Sequence, residues 1–267
     1  MKSSAIKGYV ISVSSILAVM LVFMLPSIPQ DPGYHDFSDQ RQILGIVHFW
    51  NVVSNVPFVM ISVSAVIQLL QGGRLQYPQT MFSCYLIFFI AIGAVGIGSA
   101  YYHLQPANGR LFWDRLPMTV GFMAFMSIII GEFIAEKLAL RLMLPLILMG
   151  AASVIYWYFT EQTGQGDLRA YGLIQFLPML IIPMILCLFP ASYSHKRYLW
   201  MMLAAYLLAK LFEHWDGEIF SLIGLGGHAI KHVCAGLAVY LFLLGMKKRS
   251  RLVGLARGVR REIGRGC

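Results

Sequence analysis

Eight stretches of this chain are apolar enough to be carried into a bilayer as helices, and most are long enough to cross it. They cover about 7–25, 44–70, 82–103, 115–134, 141–159, 172–189, 198–213 and 226–246. A span needs roughly 20 apolar residues. Inside hydrocarbon every backbone N–H and C=O must find its partner within the protein, so a segmented apolar chain folds as helices. The expected fold is all-α: a polytopic transmembrane helix bundle with short connections. Composition agrees. Of 267 residues, 58% are hydrophobic and 12% charged, with a mean hydropathy of +0.69. Soluble domains are nearer half apolar and a quarter charged. A soluble enzyme and a disordered chain are excluded, and so is a nucleic-acid-binding domain, despite a pI of 9.5.

The net charge of +9 is concentrated at one end. Residues 247–267 carry eight Lys and Arg against Glu262, a balance of +7, whereas the rest holds 13 cations against 11 acids. A basic run after a last apolar span reads as a cytoplasmic tail on anionic headgroups. With the N-terminus cytoplasmic, inner segments hold fifteen Lys and Arg and outer loops four: Arg41, Arg110, Arg115 and Arg169. Both termini are therefore expected inside. Lys2 and Lys7 before the first apolar run resemble a signal peptide, but Met24-Leu25-Pro26-Ser27 offers no A-x-A cleavage site, so a retained signal-anchor helix is expected over 1–30. Cys84, Cys187 and Cys234 lie in apolar stretches without C-x-x-C spacing and read as packing residues; Cys267 lacks a prenylation context.

Ionisable groups at membrane depth are functional candidates, and here most fall toward one face. His48, Asn51 and Asn55 sit on the outer half of the second segment, Ser99 and His103 end the third, Asp114 opens the fourth, and His228 and His232 open the last. His228 and His232 are four apart and share a helical face. Two imidazoles so placed can hold one Zn²⁺ if a third ligand joins them. His103 is the candidate third ligand, with Asp114 placed to act on water. The same pair also suits a haem or interhelical hydrogen bonds, and Asn51 and Asn55 suit interhelical contacts. His35, His195 and His214 read as interfacial anchors. Lys231 is expected to point away from the histidines, outward or toward Asp216 or Glu218.

Three segments together resemble the alkaline ceramidase family, within the superfamily of seven-helix membrane hydrolases that includes adiponectin-type receptors. They are Phe49-Trp50-Asn51-Val52-Val53-Ser54-Asn55, Gly98-Ser99-Ala100-Tyr101-Tyr102-His103 with Asp114-Arg115-Leu116-Pro117-Met118, and Gly227-His228-Ala229-Ile230-Lys231-His232. The resemblance covers roughly 31–246. It implies a seven-helix ceramidase-like core there, an extra N-terminal helix, and a zinc held by His103, His228 and His232. It further implies Ser99 beside the substrate carbonyl, Asp114 handling the water proton, and hydrolysis of the amide of ceramide-like lipids entering from the bilayer. Eukaryotic members bind Ca²⁺ through an acidic, Trp-containing N-terminal stretch and a Glu before Phe-Trp-Asn. Here 31–39 has no Trp and His48 holds the Glu position, which argues against a calcium site. The run Tyr34–Arg41 is more similar to bacterial members, which implies a bacterial inner membrane. The alternative within the resemblance is a non-enzymatic or weakly hydrolytic adiponectin-receptor-like zinc protein. A transporter is disfavoured by the lack of repeat halves.

Overall fold

The computed structural model describes residues 2–252, with side chains from Ala5 onward. The protein is an all-α polytopic bundle, 77% helical, with no strand among the described residues. Its helices are α1 (Lys2–Met24), α2 (Phe49–Val53), α3 (Val56–Gln71), α4 (Phe82–Leu104), α5 (Asn108–Phe133), α6 (Glu136–Gln162), α7 (Arg169–Leu188), α8 (Arg197–His214), α9 (Asp216–Ile223) and α10 (Gly227–Lys248). Seven segments, counting α2 and α3 as one, are long and apolar enough to cross a membrane. The remaining expected span, α8, is an 18-residue helix with Arg197 at its start and Lys210 and Glu213 near its end. Two of these charges neutralise each other as a Lys210–Glu213 pair.

The second apolar stretch is not one helix from 44. It begins at Phe49 and breaks at Ser54–Asn55. Pro57 explains the break: it has no N–H for the Val53 carbonyl, and its ring crowds that oxygen. The turn exposes Ser54 and Asn55 to the bundle interior, where Asn55 is buried.

α5 is the most enclosed span and α1 the least, with 67% and 0% of their apolar windows buried. α5 packs between α4, α6 and α7, while α10 packs on α8 and α3. α1 lies outside, against α7, and its C-terminal end is tied down. Arg169 Nη1 donates to the Leu25 carbonyl at 2.6 Å, Leu168 N donates to Ile28 O at 2.8 Å, and Gln30 N donates to Glu161 Oε2 at 2.9 Å. A cation on the last carbonyls of a helix is favourable both as a hydrogen bond and against the helix dipole. Arg169 is itself held by Asp167 through two bonds of 2.9 and 2.8 Å. That pairing holds the Asp167 carboxyl well below its usual range, at about 2.

The end of α10 is clamped differently. Arg249 was expected on headgroups as part of the basic tail. It is instead buried, donating to Glu132 of α5 at 2.6 and 2.9 Å and to the Gln76 carbonyl at 2.8 Å, with its plane 4.3 Å from the Tyr193 ring. Tyr85 completes the cluster on Glu132. A buried carboxylate on α5 draws the first tail arginine inward because each charge would otherwise be left unpaired. The remainder of the tail beyond Leu252, with Cys267, lies outside the described residues. Cys84 and Cys234 are buried and Cys187 is exposed.

Candidate metal centre

Two helix ends are brought together by two glycines. Gly98 sits where α4 meets α5 backbone to backbone. A Cβ there would stand 3.0 Å from the Trp113 carbonyl carbon, closer still to its oxygen, and 3.4 Å from Asp114 Cα. Only glycine permits that approach, and it brings the Ser99 end of α4 against the Trp113–Asp114 backbone of α5. Gly227 does the same for α10: a Cβ would stand 3.0 Å from Asp216 Cα and against the Phe212 carbonyl. Asp216 then caps α10 from outside it. Its Oδ1 accepts from His228 N at 2.8 Å, and its Oδ2 accepts from Ser38 N at 2.9 Å. A carboxylate on the free N–H groups of a helix start is favourable on both hydrogen-bond and dipole grounds.

His103, His228 and His232, all buried, form a triangle. Ring centroids are 4.9, 5.0 and 4.9 Å apart, and one nitrogen from each lies within 4.8 Å of the others. Ligand nitrogens at ~2.0–2.1 Å from one tetrahedral ion are about 3.3 Å apart, so side-chain movements of about an ångström close the set. The feature that asks for an ion is His103. Both its ring nitrogens are buried without a hydrogen-bond partner among the described residues. A buried imidazole left wholly unpaired is costly, and a metal bound through one nitrogen removes part of that cost. The residues fit a metal ion, and the cluster can hold one.

The surroundings orient these rings. Ser54 Oγ, whose own proton goes to the Asn51 carbonyl, lies 2.8 Å from His232 Nδ1 and accepts from it, leaving Nε2 to face inward, where Ser99 Oγ is 3.4 Å away. Outer partners of this kind fix the orientation of ligand histidines. His48, in a left-handed conformation before α2, bonds the His103 carbonyl at 3.0 Å. Phe37 covers the triangle edge-on, 4.6 Å from His103 and 4.5 Å from His228 between centroids. Asp114 is buried at the start of α5. The sequence-expected set of Ser99, His103, Asp114, His228 and His232 thus converges at one end of the bundle.

Other expectations need correction. Lys231 does not point away: its Nζ is 2.9 Å from Glu213 Oε1 and 3.1 Å from His228 Nε2. A nitrogen that accepts from an ammonium has no lone pair left for a metal. His228 therefore offers the ion its Nδ1, or Lys231 turns wholly to Glu213. Arg115 is not a loop cation but a buried one. His35 is no simple anchor; it joins Tyr102 Oη at 2.8 Å to Asn108 Oδ1 at 3.0 Å. Phe37, Ser54 and Glu213 were not singled out from sequence. Of these, only Ser54 carried a signal, lying between two asparagines already suspected.

No protein-family model matches the chain. No curated protein matches it either.

Proposed function

We propose that this chain is a zinc-dependent membrane amidohydrolase of the ceramidase type, cleaving the amide of ceramide-like lipids to a sphingoid base and a fatty acid. One observation carries the reading: three converging buried histidines, one with no other partner for either nitrogen, stand beside a buried carboxyl and a serine hydroxyl. His103, His228 and His232 would hold the ion. Bound there, Zn²⁺ supplies Lewis acidity, acidifying water and polarising a carbonyl.

The chain's own groups do the rest. The Asp114 carboxylate takes a proton from the attacking water and returns it to the leaving amine nitrogen. The Ser99 hydroxyl donates to the amide oxygen as negative charge develops there. Ser54 keeps His232 in one orientation, and Phe37 excludes bulk water from that side. Below the site lies an apolar cavity of about 130 Å³ lined by Phe58, Phe88, Val95, Phe125, Pro178 and Val239, suited to a chain terminus. The bias of loop cations supports cytoplasmic termini and a site toward the outer face of an inner membrane.

The test is zinc content and lipid-amide hydrolysis of detergent-purified protein beside a His228→Ala, His232→Ala double variant. About one zinc per chain and sphingoid-base release in the wild type, with neither in the variant, are expected. A folded wild type that takes up no zinc from excess metal refutes the reading.

A further inference from the structure

Arg115 lies one residue beyond Asp114, yet nothing in the mechanism uses it. Its side chain is buried. The plane is wrapped by aromatic faces, with Trp157 of α6 at 4.3 Å, Tyr171 of α7 at 4.7 Å and Tyr34 of the preceding loop at 5.4 Å from the guanidinium carbon. Among the described residues no carboxylate pairs with it, and its Nε and Nη1 have no hydrogen-bond partner. Rings can cover the faces of a guanidinium, but its N–H groups point out of the edge. An edge left empty is a fork shaped for a carboxylate or phosphate.

Arg115 lines a cavity of about 660 Å³ together with residues of α1, α5 and α7. Its walls are apolar, including Ala18 and Val22 of α1 and Phe176 and Leu180 of α7. Its inner end holds Arg115, Lys210 and Lys231 against Asp114 and Glu213. Both lysines bond Glu213. Three cations thus face two carboxylates, an excess of one positive charge. At the mouth, Arg169 is matched by Asp167, and Asp31, whose Oδ1 accepts from Gly33 N, is exposed to solvent, so the excess is that of the inner end. A buried charge without a counter-ion is unfavourable, and an arriving monoanion would relieve it.

We propose that Arg115 is an anion subsite: the α1-walled cavity binds a lipid chain bearing one negative charge, held at the Arg115 edge beside Asp114. The external helix α1 is then a functional wall of the cavity. The subsite stands on Arg115 and the cavity alone. Its use in selecting anionic lipid amides, with a carboxylate or phosphodiester near the scissile bond, rests on the amidohydrolase reading above.

The test uses metal-stripped full-length protein in a neutral maltoside detergent, titrated calorimetrically with N-lauroylglycine, N-lauroylethanolamine and laurate. N-Lauroylglycine is expected to bind about tenfold more tightly than the neutral ethanolamide, the scale of one charge-assisted bidentate contact. In Arg115→Gln the preference should vanish; Arg115→Lys should keep part of it. Laurate binding as well as N-lauroylglycine supports the subsite and assigns it to the chain's own carboxylate; weaker laurate binding supports it and assigns it to an anion on the amine side. Equal affinity for the anionic and neutral amides overturns the proposal, with no variant needed. A preference that survives in Arg115→Gln overturns it as well. Zinc-loaded protein is assayed separately for hydrolysis of both amides. Preference without hydrolysis removes the hydrolase reading and leaves the anion site standing.

Discussion

Gly98→Ala tests the geometry on which the site depends. The new methyl carbon would stand 3.0 Å from the Trp113 carbonyl carbon and nearer to its oxygen, where ordinary carbon contacts begin near 3.4 Å. The obstacle is backbone in the second turn of α5, so no side chain can swing aside. The helices must separate by roughly half an ångström to an ångström to restore van der Waals spacing. Overpacking of this kind costs about 1–3 kcal/mol, against about 1 kcal/mol gained from replacing a helical glycine by alanine. Gly121→Ala provides the control. It is a glycine of α5 that faces α4, but a Cβ there meets nothing closer than 3.8 Å, so it should leave stability unchanged or slightly raised. In a thermal-unfolding assay in detergent, Gly98→Ala should melt below wild type and Gly121→Ala at or above it. The separation also draws Ser99 from Asp114, and a misplacement of about 1 Å can cost about 100-fold in rate. Hydrolysis should therefore fall far more in Gly98→Ala than its loss of stability accounts for. A Gly98→Ala protein as stable and as active as Gly121→Ala would refute the close α4–α5 approach.

Three further perturbations have defined outcomes. The Asp167 carboxyl is held at about 2 by its Arg169 partner, below its usual 3.8. Its contribution is therefore present above about pH 4 and lost as pH falls through 2. The melting-temperature difference between wild type and Asp167→Asn should be constant from pH 8 to 5 and shrink toward pH 2; a difference that grows on acidification contradicts the clamp. Glu132→Ala leaves Arg249 buried and unpaired, an expected loss of about 3–5 kcal/mol, whereas Glu132→Leu with Arg249→Met should recover most of it. A double variant no more stable than Glu132→Ala in denaturant titrations argues against a simple charge-pairing role. Asp216→Ala removes the cap on His228 N, an expected cost of about 0.5–2 kcal/mol. It should also speed zinc release to a chelator, and an unchanged release rate would mean the cap does not hold His228.

What the sequence made legible follows from what helical periodicity can carry. Ser99 with His103, and His228 with His232, were readable because residues four apart share a face, and because a helix end places them at similar depth. That the two pairs meet depends on Gly98 and Gly227, whose need for close approach is visible only once the opposing backbone is known. The break at Ser54–Asn55 was available in principle, since Pro57 forbids a continuous helix through Val53. Lys231 shows the limit most clearly. Judged against the His228–His232 face alone it points elsewhere, but position 231 is also three residues from 228, and neighbours at that spacing touch. What settles its direction is Glu213, at the far end of α8, a carboxylate that no local pattern connects to α10. Arg115 follows the same logic in reverse. Its position before an apolar span made it a loop cation, yet three aromatic rings from separate segments draw it inside. Charges at helix ends in a membrane protein are placed by their partners across the bundle. A loop-charge count that includes Arg115 therefore counts a buried cavity group as a topological signal, and the orientation argument is stronger without it.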